Sequence, residues 1–224
     1  AGVAITEIHR DVEIEKSSPI VFAGHLSCLF GIPVCVEQDL PLLFECKKTD
    51  VSLENVLETF ATIYPAYSWI YDDTNKLVNI FPQPGMGEQV MFEIQNATNE
   101  ILEVILEHKE LNLRERGIAI DYIPEGSKSR VILSPGQYTL RQLLNSLCAQ
   151  LSWCSHWTLK KAMPGATFWE DARRPILLNV CFCSYPRPVK MTAAFLGVEP
   201  VQDADSIKFN VSVQLKDRKA FYEL

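Results

Sequence analysis

No apolar run in this sequence approaches the roughly 20 residues a membrane-crossing helix needs, so no membrane span is expected. Basic residues are outnumbered, 21 Lys and Arg against 28 Asp and Glu, a formal net charge of −7. That balance disfavours nucleic acid and anionic lipid as partners, since both are met by a basic patch. There is no G-x-x-x-x-G-K-[ST] and no G-x-G-x-x-G, so no phosphate cradle is expected. A G-x-x-G loop of the RNA-binding KH kind is missing too. The start, AGVAIT, has no charged-then-apolar leader, so an export signal, if the protein uses one, is expected to lie outside this sequence. What is present is ordinary for a folded protein: 47% apolar and 22% charged residues argue against disorder over most of the length.

The chain states one pattern twice. Phe44–Tyr71 reads FECKKTDVSLENVLETFATIYPAYSWIY, and Val131–Thr158 reads VILSPGQYTLRQLLNSLCAQLSWCSHWT. One constant offset aligns Ser52 with Thr139, Leu53 with Leu140, Val56 with Leu143, Leu57 with Leu144, Phe60 with Leu147 and Ser68 with Ser155. An internal repeat decides how a chain is parsed, and this one implies two units.

Periodicity fills in the elements. Glu7–Glu15 reads as a strand, and Ser17, Ser18 and Pro19 as the start of a helix over Ile20–Phe30 that Gly31 ends. Ile32, Val34 and Val36 alternate as a strand, and another begins at Phe44 and Cys46. Asp50 and Ser52 cap a helix with a buried stripe of Leu53, Val56, Leu57, Phe60 and Ile63. Tyr67–Tyr71 and Leu77–Phe81 form a hairpin across Asp72-Asp73-Thr74-Asn75, and Pro82–Gly87 reads as a linker. The order then recurs: a strand at Val90–Ile94, then a helix capped by Asn96 or Thr98 and striped by Ile101, Leu102, Ile105 and Leu106. Ile118, Ile120 and Tyr122 form a strand, and another begins at Val131 and Leu133. Thr139 caps a helix striped by Leu140, Leu143, Leu144, Leu147 and Leu151, and strands follow at Trp153–Leu159 and Pro175–Cys183.

The expected class is α+β: two tandem units of strand-helix-strand-strand-helix-strand-strand, over residues 1–84 and 88–183. Residues 184–224 are expected to add a β hairpin, because Ile207, Phe209, Val211, Val213 and Leu215 alternate without a break against polar neighbours. Unit two departs from unit one at Lys109–Arg116 and Lys160–Arg174. Function tends to sit in such varied loops.

In unit one, VEIEKSSPIVFAGHLSCLFGIPVCV followed by FECKKTDVSLENVLETFATIYPAYSWIYDDTNKLVNIFP resembles the short amino-terminal (STN) domain of bacterial secretins and TonB-dependent receptors. The carriers are Val51-Ser52-Leu53, Val56-Leu57 and Val78-Asn79-Ile80-Phe81-Pro82, matched more loosely in unit two by Tyr138-Thr139-Leu140 and Leu143-Leu144. The resemblance covers about Glu7–Pro82 and, with two insertions, Val90–Cys183. It implies a periplasmic or otherwise extracytoplasmic, non-enzymatic module of the cell envelope that contacts a protein partner or neighbouring copies.

Candidate chemistry is sparse, and neither cofactor nor metal is expected. His25, Cys28 and Cys35 lack the fourth converging ligand of a zinc site. Cys154 and His156 share a strand face, the minimum for a thiol nucleophile and its base, but nothing in the pattern marks an oxyanion hole. Seven cysteines leave at least one unpaired within a monomer. Cys35 with Cys46, and Cys181 or Cys183 with Cys148 or Cys154, stay open as pairs. The candidate partner-binding residues are Ile207, Phe209, Val211 and Val213, as an edge for strand addition, and Trp169 as an exposed contact. A ligand-binding module for a small molecule or peptidoglycan is the alternative, with Trp153 and Trp157 as its aromatic row; a cysteine-dependent enzyme is the third reading.

Overall fold

The computed structural model describes residues 5–38, 42–122, 130–151, 155–161 and 178–184. The fold is α+β. Its first part runs β1 (His9–Ser17), α1 (Pro19–Phe30), β2 (Val34–Gln38), β3 (Phe44–Ser52), α2 (Leu53–Ile63), β4 (Tyr67–Asp72) and β5 (Leu77–Pro82). A single 3-10 turn at Met86–Glu88 leads into β6 (Met91–Ile94), β7 (Thr98–Ile101), α3 (Leu102–Leu106), β8 (Ile118–Tyr122), β9 (Arg130–Leu133), β10 (Gly136–Thr139), α4 (Leu140–Ala149), β11 (Ser155–Lys161) and β12 (Leu178–Ser184). All the described residues fall within one compact unit. The expected hairpin over 184–224, with Ile207, Phe209, Val211 and Val213, lies outside the described residues, as does Trp169.

Helix ends follow the local chemistry. Ser18 accepts from the Val21 amide at 3.4 Å, with Pro19 opening α1, and Gly31 closes it at φ +67. That left-handed conformation costs glycine nothing. Ser52 and Thr139 cap α2 and α4 alike, accepting from Asn55 and Gln142. Thr139 also forms a capping box, because the Gln142 side chain accepts from its backbone amide at 2.9 Å. Asp50 takes no part in the cap and lies at φ +49.

Sequence and structure part at residues 96–101. Thr98–Ile101 is a strand, antiparallel to β9, and α3 is a five-residue helix whose N-cap, Ile101, offers no side-chain bond. Pairing with β9 satisfies this backbone along a whole ladder, whereas a capped helix start satisfies only its first turn. Thr98 is half-buried in that ladder rather than capping.

Six strands form one sheet in the order β4-β5-β2-β11-β12-β8. β2 runs parallel to β5 on one side and to β11 on the other, so strands from both halves of the chain share the sheet. Side chains alternate across a strand, and here each face has its own core. Val34, Val36, Val78 and Ile80 pack with α1, α2, β1 and β3. Cys35 and Leu77 point the other way and join Trp157, Leu159, Val180 and Phe182 beneath α3 and α4. Every residue of β2 is buried. In the first core, Phe22 stacks on Phe60 at 5.3 Å between centroids, and Phe44 meets both edge-on. In the second, leucines of α4 fill the same role.

The buried stripe of α2 stops at Phe60; Ile63, expected in it, is 51% exposed, because the helix ends there and its last turn overhangs the core. We predict that Phe60→Ala lowers unfolding free energy by about 3–5 kcal/mol, by lost burial plus an unfilled cavity. Ile63→Ala should cost under about 0.5 kcal/mol, as exposed substitutions do, and urea denaturation separates the two.

Candidate functional site

The junction between the two cores is polar and closed. Glu37 closes β2 on the α4 side of the sheet with no exposed surface. Its Oε1 accepts from Arg141 Nε of α4 at 2.6 Å, and its Oε2 accepts from the Gly87 amide at 2.9 Å. Arg141 is 6% exposed, lies over the Phe81 ring at 3.8 Å, and donates through Nη1 to Glu88 at 2.6 Å. Buried charges need such pairing, because desolvation outweighs attraction unless the remaining hydrogen bonds are met. One turn along α4, Asn145 donates to Asp72 of β4 at 3.0 Å and accepts from the Trp157 indole at 2.8 Å. Burial would raise the Asp72 pKa, but bonds from Asn75, Asn145 and the Thr74 amide hold it below the ordinary value.

The segment 82–87 is therefore a built part of the junction and not a slack linker: Met86 and Gly87 are buried. A side chain at Gly87 would place its Cβ 2.7 Å from Glu37 Oε1, and one at Gly85 would collide with the Arg141 guanidinium. Nothing in the hydrophobic pattern marks Arg141 or Asn145. Both lie off the leucine stripe of α4, where polar residues ordinarily face water. Their spacing of four on one helix face is the signal that was there.

This junction uses up one edge of β2 and one edge of β11. Among the described residues, the six-stranded sheet then ends at β4 on one side and β8 on the other. β4 carries Trp69 and Tyr71 half-buried and Ile70 52% exposed. Beside β8 lies an open cleft of about 520 Å³, floored by Ile118, Ala119 and Ile120 and walled by the end of α3 and the segment after it. Glu107, Lys109 and Arg114 supply its charged lining, with His108 and Asn112 beside them. The wall is tied back at its middle, since Glu110 accepts from the Gln95 amide and the Asn96 amide group, each at 3.1 Å. Those bonds hold the Glu110 carboxyl below its usual pKa. Arg116 anchors the far end, over the Phe92 ring at 4.8 Å and bonded to the Met91 carbonyl at 2.8 Å. The cleft thus falls in the Lys109–Arg116 departure of unit two.

Among the described residues, the other candidates are not brought together. His156 is 1% exposed and neutral: burial pushes its pKa down to about 4. Its companion Cys154 lies outside the described residues, as does Trp153. Trp157 is fully buried on Asn145, which removes it from any exposed aromatic row. His25 is exposed on α1 while Cys35 points into the core under α4, so these two do not converge. Cys46 carries a free thiol, its pKa raised by burial, with the Lys48 charge opposing. The Cys35–Cys46 pair is thereby corrected: β2 and β3 are not neighbours, and the two residues belong to different cores. No family model, curated protein or solved structure matches the chain.

Two tests follow. A folded-state pKa of about 4 against an ordinary 6.5 means that protonating His156 favours unfolding. Stability is complete above pH 6.5 and falls towards pH 4, by at most about 3 kcal/mol at ~1.4 kcal/mol per pH unit. The slope in that window should flatten in His156→Gln, read by urea denaturation at stepped pH. Gly87→Ala should cost about 1–3 kcal/mol by crowding Glu37, read the same way.

Proposed function

We propose that this chain is a non-catalytic interaction module of the cell envelope, working outside the cytoplasm, that engages protein partners by strand addition at its sheet edges. The observation that carries this is the sheet itself, which among the described residues ends at β4 and β8 with a cleft alongside β8. An edge strand offers a row of backbone donors and acceptors that a partner strand can use. The resemblance to the STN domains of secretins and TonB-dependent receptors supports the same reading, and through it a periplasmic setting and a partner in an envelope complex.

The cleft favours a second reading, a small anionic ligand or a peptidoglycan fragment held by Lys109 and Arg114. Titration with a disaccharide-peptide fragment of peptidoglycan separates the two. Saturable binding that Arg114→Ala abolishes would favour the second reading.

The test of the first reading is hydrogen exchange on the dilute full-length chain. Alternate amides of β4 should exchange at least ~100-fold faster than those of β5 and β2, because edge strands leave every second amide unpaired. Protection of β4 equal to that of β5 would mean the edge is already covered by the chain itself, and the reading would fall.

A further inference from the structure

The sheet contains its own example of how its edges are joined. Reading across it, β4-β5-β2 has an antiparallel neighbour pair followed by a parallel one, and β11-β12-β8 has the same. Helices α1 and α2 pack on one face of the first triplet, and α3 and α4 on the opposite face of the second. The second triplet is therefore placed from the first by a step along the sheet and a half-turn about that direction. The seam between them is the parallel pairing of β2 with β11. It consumes an edge of the β2 kind and an edge of the β11 kind. Among the described residues, the edges left over at the ends are β8, which stands in its triplet where β2 stands, and β4, which stands where β11 stands.

We infer that β4 of one copy adds in parallel to β8 of the next, repeating the internal seam, so that the chain associates head to tail. This rests on the strand-addition reading and names the partner: a second copy of the chain.

Three observations support the pairing. The contact continues an interface the fold already builds, with the same strand direction and the same alternation of helix faces. The β4 edge is also undefended. Natural edge strands are blunted by lysine, proline or bulges, yet Tyr67–Asp72 holds neither lysine nor proline and pairs with β5 without a shift; Ile118–Tyr122 holds neither residue and bulges only after Ile120. Finally, burial differs as a missing neighbour requires. Tyr71 and Leu159 are counterparts, each opposite a core valine, Val78 or Val180, that lies beside Val34 or Ile120. One residue earlier, Thr158 at the internal seam is 3% exposed, and its counterpart Ile70 on the outer edge is 52% exposed.

The register follows. β8 shifts register after Ile120, so the register is carried through its regular part: Val34, the counterpart of Ile120, lies two residues before the Val36–Thr158 pair, and Ile120 of one copy should face Ser68 of the next. Because the two edges differ, the contact is heterologous and does not close on itself in a pair.

The test uses the full chain. Its sedimentation coefficient should rise with concentration, and Ile70→Lys should weaken association at least ~10-fold without lowering the melting temperature, since the position is solvent-exposed. Ser68→Cys and Ile120→Cys variants should form a disulfide-linked pair when mixed and oxidised, and neither should do so alone beyond the parent's own level. A chain monomeric at all concentrations overturns the proposal, as does cross-linking of Ser68→Cys by itself, which would mean symmetric β4–β4 pairing. With β4 amides exchanging fast, a monomeric chain removes only the second copy as partner. With β4 protected in the dilute monomer, strand addition falls as well.

Discussion

The buried pair of Glu37 and Arg141 is the constraint on which the rest of the architecture turns. β2 is buried along its whole length with a carboxylate inside it. A carboxylate at that depth is tolerable only if its lone pairs are met, and two elements meet them: α4 through the Arg141 guanidinium and the 3-10 turn through the Gly87 amide, while Glu88 of the same turn accepts from the other arm of the guanidinium. This polar seat brings α4 against the back of β5 and β2. With α4 there, β11 follows it into the sheet beside β2, and β4 and β8 are left at the ends. Two apolar cores alone would not choose this joint, because hydrophobic burial is non-directional. The charged pair adds the direction.

Much of this was legible in the residues. The α+β class, the capped α2 and α4, the β4–β5 hairpin and the leucine stripe of α4 are local matters of turn chemistry and period, and local chemistry is what a sequence displays directly. Position 96–101 was misread because Asn96 and Thr98 are good caps and Ile101, Leu102 and Ile105 fit a helical stripe. The competing term was a ladder to β9, about 30 residues away and invisible to any local pattern. Ile63 shows the same limit at smaller scale. Its spacing fits the stripe of α2, but whether the core reaches so far is a question of tertiary extent.

The candidate site divides along the same line. The Lys109–Arg116 departure drew attention by its failure to match unit one, and the cleft beside β8 lies there. Arg141 and Asn145 escaped notice because polar residues off an apolar stripe ordinarily face water. Here the helix is covered on two sides, by its own leucines and by the neighbouring sheet. Trp157 erred in the opposite direction: the ligand-binding alternative placed it with Trp153 in an exposed aromatic row, and Asn145 supplies the buried partner that lets its indole stay inside. The edges β4 and β8 could not be read at all from the sequence, since an edge is a property of the whole strand order.

The seat of α4 is open to a direct measurement, a double-mutant cycle of Glu37→Gln and Arg141→Met by urea denaturation. Each single change leaves a buried group without its partner and should cost about 3–5 kcal/mol. The double variant should lose far less than the sum, with a coupling above ~2 kcal/mol between directly contacting groups. Losses that add to within ~0.5 kcal/mol would show that the two charges do not depend on each other, and would contradict a joint built on their pairing.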